Sequence, residues 1–408
     1  MLRVLAITQL FPNTREPLFS QFNRQQFAAL GSLCELTIVA PVPWFPGAAR
    51  LAAATRAGHL AGLTATEHID GLQVRHPRFL HVPKLGQWFA GPLQAGWLWP
   101  SVRRYRGKVD VVLGAWAYPD GCAAVALAAA LGVPAVVKLH GSDMNVVARL
   151  PGPRLWLRAA LPRAARVVAV SRRLGDEAVA LGVDPARIDL VFNGVDRSLF
   201  CPGERAEARQ KLGIADDRRR ILFVGNLLAT KGVGDLLAAF ERVAAGDDGV
   251  DLVLVGDGPM RKNCEQLADR LPGRVVVAGA RPLDEVARWM TACDVVTLPS
   301  WNEGTPNVVL EALSAGRRVV ATDVGGIPDL LCEPSLGAMV PVRNIDQLAD
   351  ALAVAARTDY DQAQVAQLGG RGDWQQSARD LHAVLARAAQ RPLQSNKEAR
   401  GNRTAKSA

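Results

Sequence analysis

Four side chains in this sequence combine charge or proton chemistry with positions from which a loop could present them: Glu303, Glu311, Lys231 and His140. Glu303 and Glu311 stand eight positions apart in the run Pro299-Ser-Trp-Asn-Glu-Gly-Thr-Pro-Asn-Val-Val-Leu-Glu311. In most chains such a pair is two solvated surface acids, and its surroundings are what argue otherwise. Val295 to Leu298 is a short β-rich run. Gly304 frees the loop backbone, Thr305 suits a helix N-cap and Pro306 suits the first helical position. A helix beginning near Pro306 would leave the amides of Asn307 and Val308 unbonded at the positive end of its dipole, a site for phosphate or diphosphate. Carboxylates beside an anion need another partner. As acceptors they suit the hydroxyls of a sugar or a ribose.

Lys231 supplies the matching cation. It follows the strand-like run Ile221 to Val224, with Gly225 at the turn and Gly232 after it. A unit charge pair at ~4 Å is worth about 4 kcal/mol at an effective dielectric of roughly 20, enough to favour departure of an anionic leaving group. His140 follows Val133 to Leu139, so it stands where a parallel strand ends and its loop begins, the edge at which open α/β sheets bind ligands. Asp143, three residues on, suits a loop-orienting or capping role, and Ser171 and Asn193 are expected to bound the same cleft.

These pieces need strands that alternate with helices. After the Glu303 block, Ala312 to Gly316 closes a helix at glycine, Arg318 to Thr322 reads as a strand and Val324-Gly-Gly-Ile-Pro-Asp329 as a tight turn. The alternation extends over both halves of the 408-residue chain, so each half is expected to be a doubly wound, mostly parallel sheet. The expected division is 1–195, 196–373, a terminal helix over 374–390 and a polar, basic, disordered tail over 391–408.

The run from Leu298 to Asp329 resembles the family-4 retaining glycosyltransferases (group 1), whose signature is two glutamates separated by seven residues, followed by a Gly-Gly-Ile-Pro turn. Further matches follow in family order: His140-Gly-Ser-Asp143, Ala169-Val-Ser171, Asn193-Gly-Val-Asp196, Gly225 with Lys231-Gly232, and Val255-Gly-Asp-Gly-Pro259. The resemblance implies the GT-B architecture, two Rossmann-like domains facing a cleft, with the terminal helix packing back on the first. It implies transfer of a sugar, with retention, from a nucleotide diphosphate donor (UDP- or GDP-sugar) to a glycan or lipid-linked glycan hydroxyl in surface polysaccharide assembly, lipopolysaccharide included. Gly225, Asn226, Lys231, Glu303, Gly304, Thr305, Asn307, Val308 and Glu311 would hold the donor, and His140 would contact the transferred sugar. No cofactor is expected, and no Asp-x-Asp motif stands among the matched positions, so no obligatory metal is expected either. Two departures stand out. The family has an arginine where this chain has Asn226, which cannot form a cationic fork. It often has a glycine pair after the first strand, where this chain has Phe11 to Ser20 without glycine. That loop suits the acceptor, with Arg15 and Arg24 as candidate cations.

Charge bears on the acceptor. Residues 1–195 hold 21 Lys and Arg against 11 Asp and Glu, and the remainder hold 27 against 28. Trp88, Phe89, Trp97 and Trp99 precede Arg103, Arg104, Arg106 and Lys108. That grouping suits either a packed aromatic helix with a solvated basic end or an anionic membrane surface. Nucleic acid is disfavoured because no recognition motif accompanies the charge. A dinucleotide enzyme is disfavoured because the first strand lacks Gly-x-Gly-x-x-Gly after it. Six cysteines without paired spacing, no signal-peptide pattern and no membrane-spanning run favour the cytoplasm, with a peripheral position on the inner face of the membrane as the alternative. The rival readings are a nucleotide-sugar epimerase and a non-catalytic sugar-nucleotide-binding protein.

Overall fold

The computed structural model describes residues 1–17, 19–52, 54–81, 88–215 and 217–390. The expected tail over 391–408 lies outside them. Ten strands belong to the first half: β1 (Arg3–Ile7), β2 (Glu35–Val39), β3 (Val42–Trp44), β4 (Thr66–Ile69), β5 (Leu72–Arg75), β6 (Arg78–Leu80), β7 (Val111–Ala115), β8 (Ala135–Leu139), β9 (Arg166–Ala169) and β10 (Ile188–Leu190). Eight of them form one sheet in the order β10-β9-β8-β7-β1-β2-β5-β4, parallel except where β4 meets β5, while β3 and β6 pair separately. The second half builds β11 (Arg219–Val224), β12 (Val250–Val255), β13 (Val275–Gly279), β14 (Val295–Leu298), β15 (Arg318–Thr322) and β16 (Gly337–Val340). Their order is β13-β12-β11-β14-β15-β16, all parallel.

Parallel strands covered by helices on both faces are buried on both sides, so they read as continuous apolar runs rather than alternating ones. Val111-Val-Leu-Gly-Ala115 and Val250-Asp-Leu-Val-Leu-Val255 are buried at every position. Strand order reverses beside β1 in the first sheet and beside β11 in the second, and the loops leaving the strands' C-terminal ends open there. The helix Trp374–Gln390 leaves the second half and packs across the first. Its Ala378, Leu381, Val384, Leu385 and Ala388 share a core with Phe27, Leu30 and Val136. Two doubly wound sheets with this return helix are the GT-B arrangement.

One polar chain runs through that return. Lys138 lies mid-strand in β8, fully buried, and its Nζ donates to Gln26 Oε1 at 2.5 Å. Gln26 Nε2 donates to Ser377 Oγ at 2.8 Å, and Ser377 Oγ to the Phe192 carbonyl at 2.6 Å. Among the described residues no carboxylate pairs with the amine, and burial pushes its pKa down to about 7.

Candidate active site

The loop after β14 carries the first site carboxylate. Glu303 Oε1 accepts from Lys231 Nζ at 2.6 Å and from Ser300 Oγ at 2.7 Å, while Oε2 accepts nothing among the described residues. Lys231 is placed by Gly232, whose φ of +69° is a left-handed turn, and a Cβ there would lie 1.8 Å from the Pro299 carbonyl oxygen. Only glycine lets the two loops meet so closely. Trp301, beside Glu303, is fixed by its own bonds: its N–H donates to the Thr230 carbonyl at 2.9 Å and its indole Nε1 to Asp235 at 2.7 Å. The Arg343 guanidinium lies 4.0 Å from its ring centroid.

The helix runs Asn307–Ser314, one residue later than the sequence suggests. Thr305 does not cap it. Its hydroxyl donates instead to the Val170 carbonyl of the first domain, so Pro306, with extended φ and ψ, becomes the cap residue and its carbonyl accepts from Val309 at 3.1 Å. The amides of Asn307 and Val308 precede Val309, the first donor, and remain available to an anion. Glu311 follows one turn below Asn307. It has no hydrogen-bond or ion-pair partner among the described residues, and burial pushes its pKa up to about 7.

The backbone of the same loop is bonded to the first domain. Asn145 Nδ2 donates to the Glu303 carbonyl at 2.8 Å, and Asn193 Nδ2 donates to Asn307 Oδ1 at 2.9 Å. A Cβ on Gly304 would stand 1.9 Å from the His140 carbonyl oxygen. The Gly325-Gly326 turn closes from the other side, its Gly326 N–H donating to the Gly304 carbonyl at 2.6 Å. Ser171, buried, caps its own helix through the Leu174 N–H and abuts Gly326. The Arg172 N–H donates to Asp329 at 2.8 Å.

His140 lies between Phe22 and Trp116, with ring centroids at 5.0 and 6.1 Å. Its Nε2 is buried without a partner, and so is Asn193 Oδ1. Burial, with the Lys138 amine nearby, holds the His140 pKa well below its usual value, so the ring is neutral at neutral pH. Two orphaned buried polar atoms on one cleft wall suit the hydroxyls of a ligand.

Three expected residues stand apart from the cleft, Asp143, Arg15 and Arg24, although Asp143 keeps the loop-orienting role its position suggests. Asp143 does not face the cleft: its carboxylate is fully buried and accepts from the N–H groups of Ala117, His140, Gly141 and Met144 at 2.7–3.2 Å, and burial raises its pKa against those bonds. It shapes the loop that carries His140. The Arg15 guanidinium lies beside Gly62 and bonds to none of the other site residues, and Arg24 is paired with Asp70 at 2.7 Å. Gly225 and Asn226 stand where β11 ends, as expected, and the exposed Asn226 side chain has no hydrogen bond among the described residues. Asn145 and Trp301 were not anticipated. An Asn or Trp carries no charge signal, and the partner of Asn145 is 158 residues away. No group of His, Cys, Asp and Glu among the described residues could hold a metal ion.

Two Rossmann-like sheets facing such a cleft define the GT-B architecture, and sequence comparison gives the family. Residues 218–357 match the model described as glycosyl transferases group 1, and residues 51–199 match glycosyltransferase family 4. The chain belongs to this family and is a glycosyltransferase. It is 29% identical over 371 residues to the putative teichuronic acid biosynthesis glycosyltransferase TuaC of Bacillus subtilis, covering 89% of this chain and 90% of that one. It is 31% identical over 288 residues to the alpha-D-kanosaminyltransferase of Streptomyces kanamyceticus, covering 66% and 73%. Among solved structures, Anabaena HepE in complex with UDP and glucose superposes with a TM-score of 0.65 at 19% identity, over 95% of this chain and all of that one.

Proposed function

We propose that this glycosyltransferase moves a sugar, with retention of anomeric configuration, from a nucleotide diphosphate donor, UDP- or GDP-linked, to a hydroxyl of a lipid-linked glycan in surface polysaccharide assembly. The observation that carries the reading is the Lys231–Glu303 pair, joined at 2.6 Å on the loop that runs into the unbonded amides of Asn307 and Val308. An ammonium has three donors, so Nζ can keep Glu303 and still reach a phosphate oxygen. The diphosphate then rests between that cation and the helix N-terminus, where negative charge developing on the leaving group is stabilised. Glu303 Oε2 is left for a hydroxyl of the transferred sugar, and Glu311 for the ribose.

His140, neutral, offers Nε2 to the same sugar or to the acceptor hydroxyl. Retention is drawn from the family signature; the departing phosphate would take the acceptor proton on the attacked face. TuaC and HepE support the glycan and the UDP parts of the reading, respectively, by what their names state. The test is calorimetry of the purified protein with UDP, GDP, ADP, dTDP and their sugar conjugates, beside Lys231→Ala and Glu303→Ala, followed by NMR of the product anomer. One nucleotide should bind, Lys231→Ala should weaken it by about tenfold or more and lower turnover ~100-fold. Near-normal turnover by both variants, or an inverted product, would overturn the assignment.

A further inference from the structure

The helices Ala90–Val102 and Pro151–Ala160 leave apolar surface in solvent. The first buries Gly91, Gln94, Leu98 and Val102 against the core, yet its opposite stripe is also apolar: Phe89, Leu93 and Trp97, at four-residue spacing, are 58%, 37% and 46% exposed. A helix apolar on every side is ordinarily buried on every side. The second helix turns Leu155, 66% exposed, outward between Arg154 and Arg158, and the loop before it exposes Val146 and Leu150. The two are one surface. Trp156 Nε1 donates to the Trp88 carbonyl at 2.8 Å, the Phe89 and Trp156 rings meet edge to face at 6.5 Å, and Trp88 packs on Gly152.

The segments that build and flank this face carry charge of one sign. Residues 88–108 carry Arg103, Arg104, Arg106 and Lys108 without an acid, and residues 144–163 carry Arg149, Arg154, Arg158 and Arg163, again without an acid. None of these eight makes an ion pair among the described residues, although elsewhere in the protein arginines pair widely with Asp and Glu. Trp99 is the exception within the expected aromatic cluster, turned inward with Arg106 over its ring at 5.7 Å. Exposed Trp, Phe and Leu beside unpaired arginines are what the interface of an anionic bilayer accepts: rings and aliphatic chains at the level of the headgroups, guanidinium groups on phosphates.

We propose that the Phe89–Leu93–Trp97 stripe, with Leu155 and its flanking arginines, is a membrane-docking face that seats the first domain on an anionic phospholipid surface. Asn145, bonded to the Glu303 carbonyl, precedes the exposed Val146 directly, so the face adjoins the cleft on the side that carries His140. Docking there brings the cleft mouth to the plane in which a lipid-linked acceptor lies. The inference deepens that acceptor reading and rests on it for its purpose.

The test is sedimentation of the full chain with vesicles of phosphatidylcholine alone and of phosphatidylcholine with phosphatidylglycerol, at low and high salt. The variants are Phe89→Ser with Trp97→Ser, and Arg104→Gln with Arg158→Gln, each checked by circular dichroism. Wild type should bind the anionic vesicles preferentially and release them with salt, and each double variant should bind about tenfold more weakly. Equal binding to both vesicle types, or binding unchanged by Phe89→Ser with Trp97→Ser, overturns the proposal. So does concentration-dependent self-association abolished by the same pair, which would make the face a contact between two copies. Nucleotide binding, measured on the same preparations, separates the outcomes: retained UDP or GDP binding without vesicle binding sinks the docking face alone, whereas absent nucleotide binding sinks the donor reading.

Discussion

The Glu311 carboxylate is half-buried and has no partner among the described residues, and that makes its contribution to stability measurable. Its carboxyl titrates at about 7 in the folded protein against an ordinary 4.5. A raised carboxyl pKa means that the unfolded chain releases its proton first, so folding stability falls as pH climbs from 4.5 to 7 and is level above. The full displacement, about 2.5 units at 1.36 kcal/mol each, costs the folded state about 3 kcal/mol at pH 8 but only about 1 kcal/mol at pH 5. Glu311→Gln removes the titration while keeping shape and one acceptor oxygen. The variant should therefore gain on wild type between pH 5 and pH 8 by about 2 kcal/mol, some 4–8 °C in melting temperature for a domain of this size. Thermal unfolding of both proteins at several pH values reads the difference, and any pH-independent effect of the substitution cancels from it. A wild-type-to-variant gap that stays constant across the range would refute the picture of an unpartnered, half-buried acid. The same carboxylate should gain hydroxyl donors when nucleotide binds. Binding near pH 7 should then release protons, visible as a dependence of calorimetric enthalpy on buffer ionisation heat, and Glu311→Gln should abolish that release while weakening the nucleotide by about tenfold.

Gly304→Ala places a methyl group 1.9 Å from the His140 carbonyl oxygen and should pry the loop from the first domain; kcat should fall at least ~100-fold with both domains folded, and wild-type kcat would refute the close approach. Asn145→Ala removes the bond to the Glu303 carbonyl and should weaken donor binding and turnover together by about tenfold, although no acceptor-side side chain is expected to touch the nucleotide. Lys138 titrates at about 7 rather than 10.5, so wild-type stability should rise with pH between those values, and Lys138→Met, which does not titrate, should lead wild type by most at pH 7 and by least near pH 10. A flat difference between melting curves over that range would rule out a neutral buried amine.

Much of this molecule is legible in its sequence because parallel strands buried on both faces announce themselves. Val111 to Ala115, Ile221 to Val224 and Val295 to Leu298 are apolar runs bounded by glycine or loop residues, and each is a strand. Lys231 and Glu303 could be named from local context, since each stands where a strand's C-terminal end opens into a loop. What escaped is what depends on the other domain. Thr305 has the look of an N-cap, but a carbonyl at Val170, 135 residues away, takes its hydroxyl and moves the helix start by one position. Asp143 needs no such partner: it orients the His140 loop, as its place in the sequence suggests, through four amides of its own domain. Nothing in the sequence marks Lys138 for burial, and only the return of the terminal helix supplies Ser377 to the Gln26 that receives its amine.

The interdomain bonds share a target, and this bears on mechanism. Asn145 holds the carbonyl of Glu303, His140 and Gly141 press on Gly304, Val170 takes the hydroxyl of Thr305, and Asn193 holds the side chain of Asn307. These residues form one stretch of backbone, the same stretch whose Glu303 carboxylate and Asn307 and Val308 amides are proposed to face the donor. The first domain therefore holds this loop by its main chain at Glu303 and Gly304 and by the side chains of Thr305 and Asn307, while the Glu303 carboxylate turns to Lys231. Opening the cleft would release the backbone that sets Glu303, whereas closing it restores that geometry and excludes water from the same space. A donor bound to the second domain alone would meet a loop not yet fixed, so hydrolysis before the acceptor domain arrives is held back by the same contacts that assemble the site. His140 enters on that closing surface with its Nε2 unsatisfied, which leaves the hydrogen bond it lacks to be supplied by the sugar.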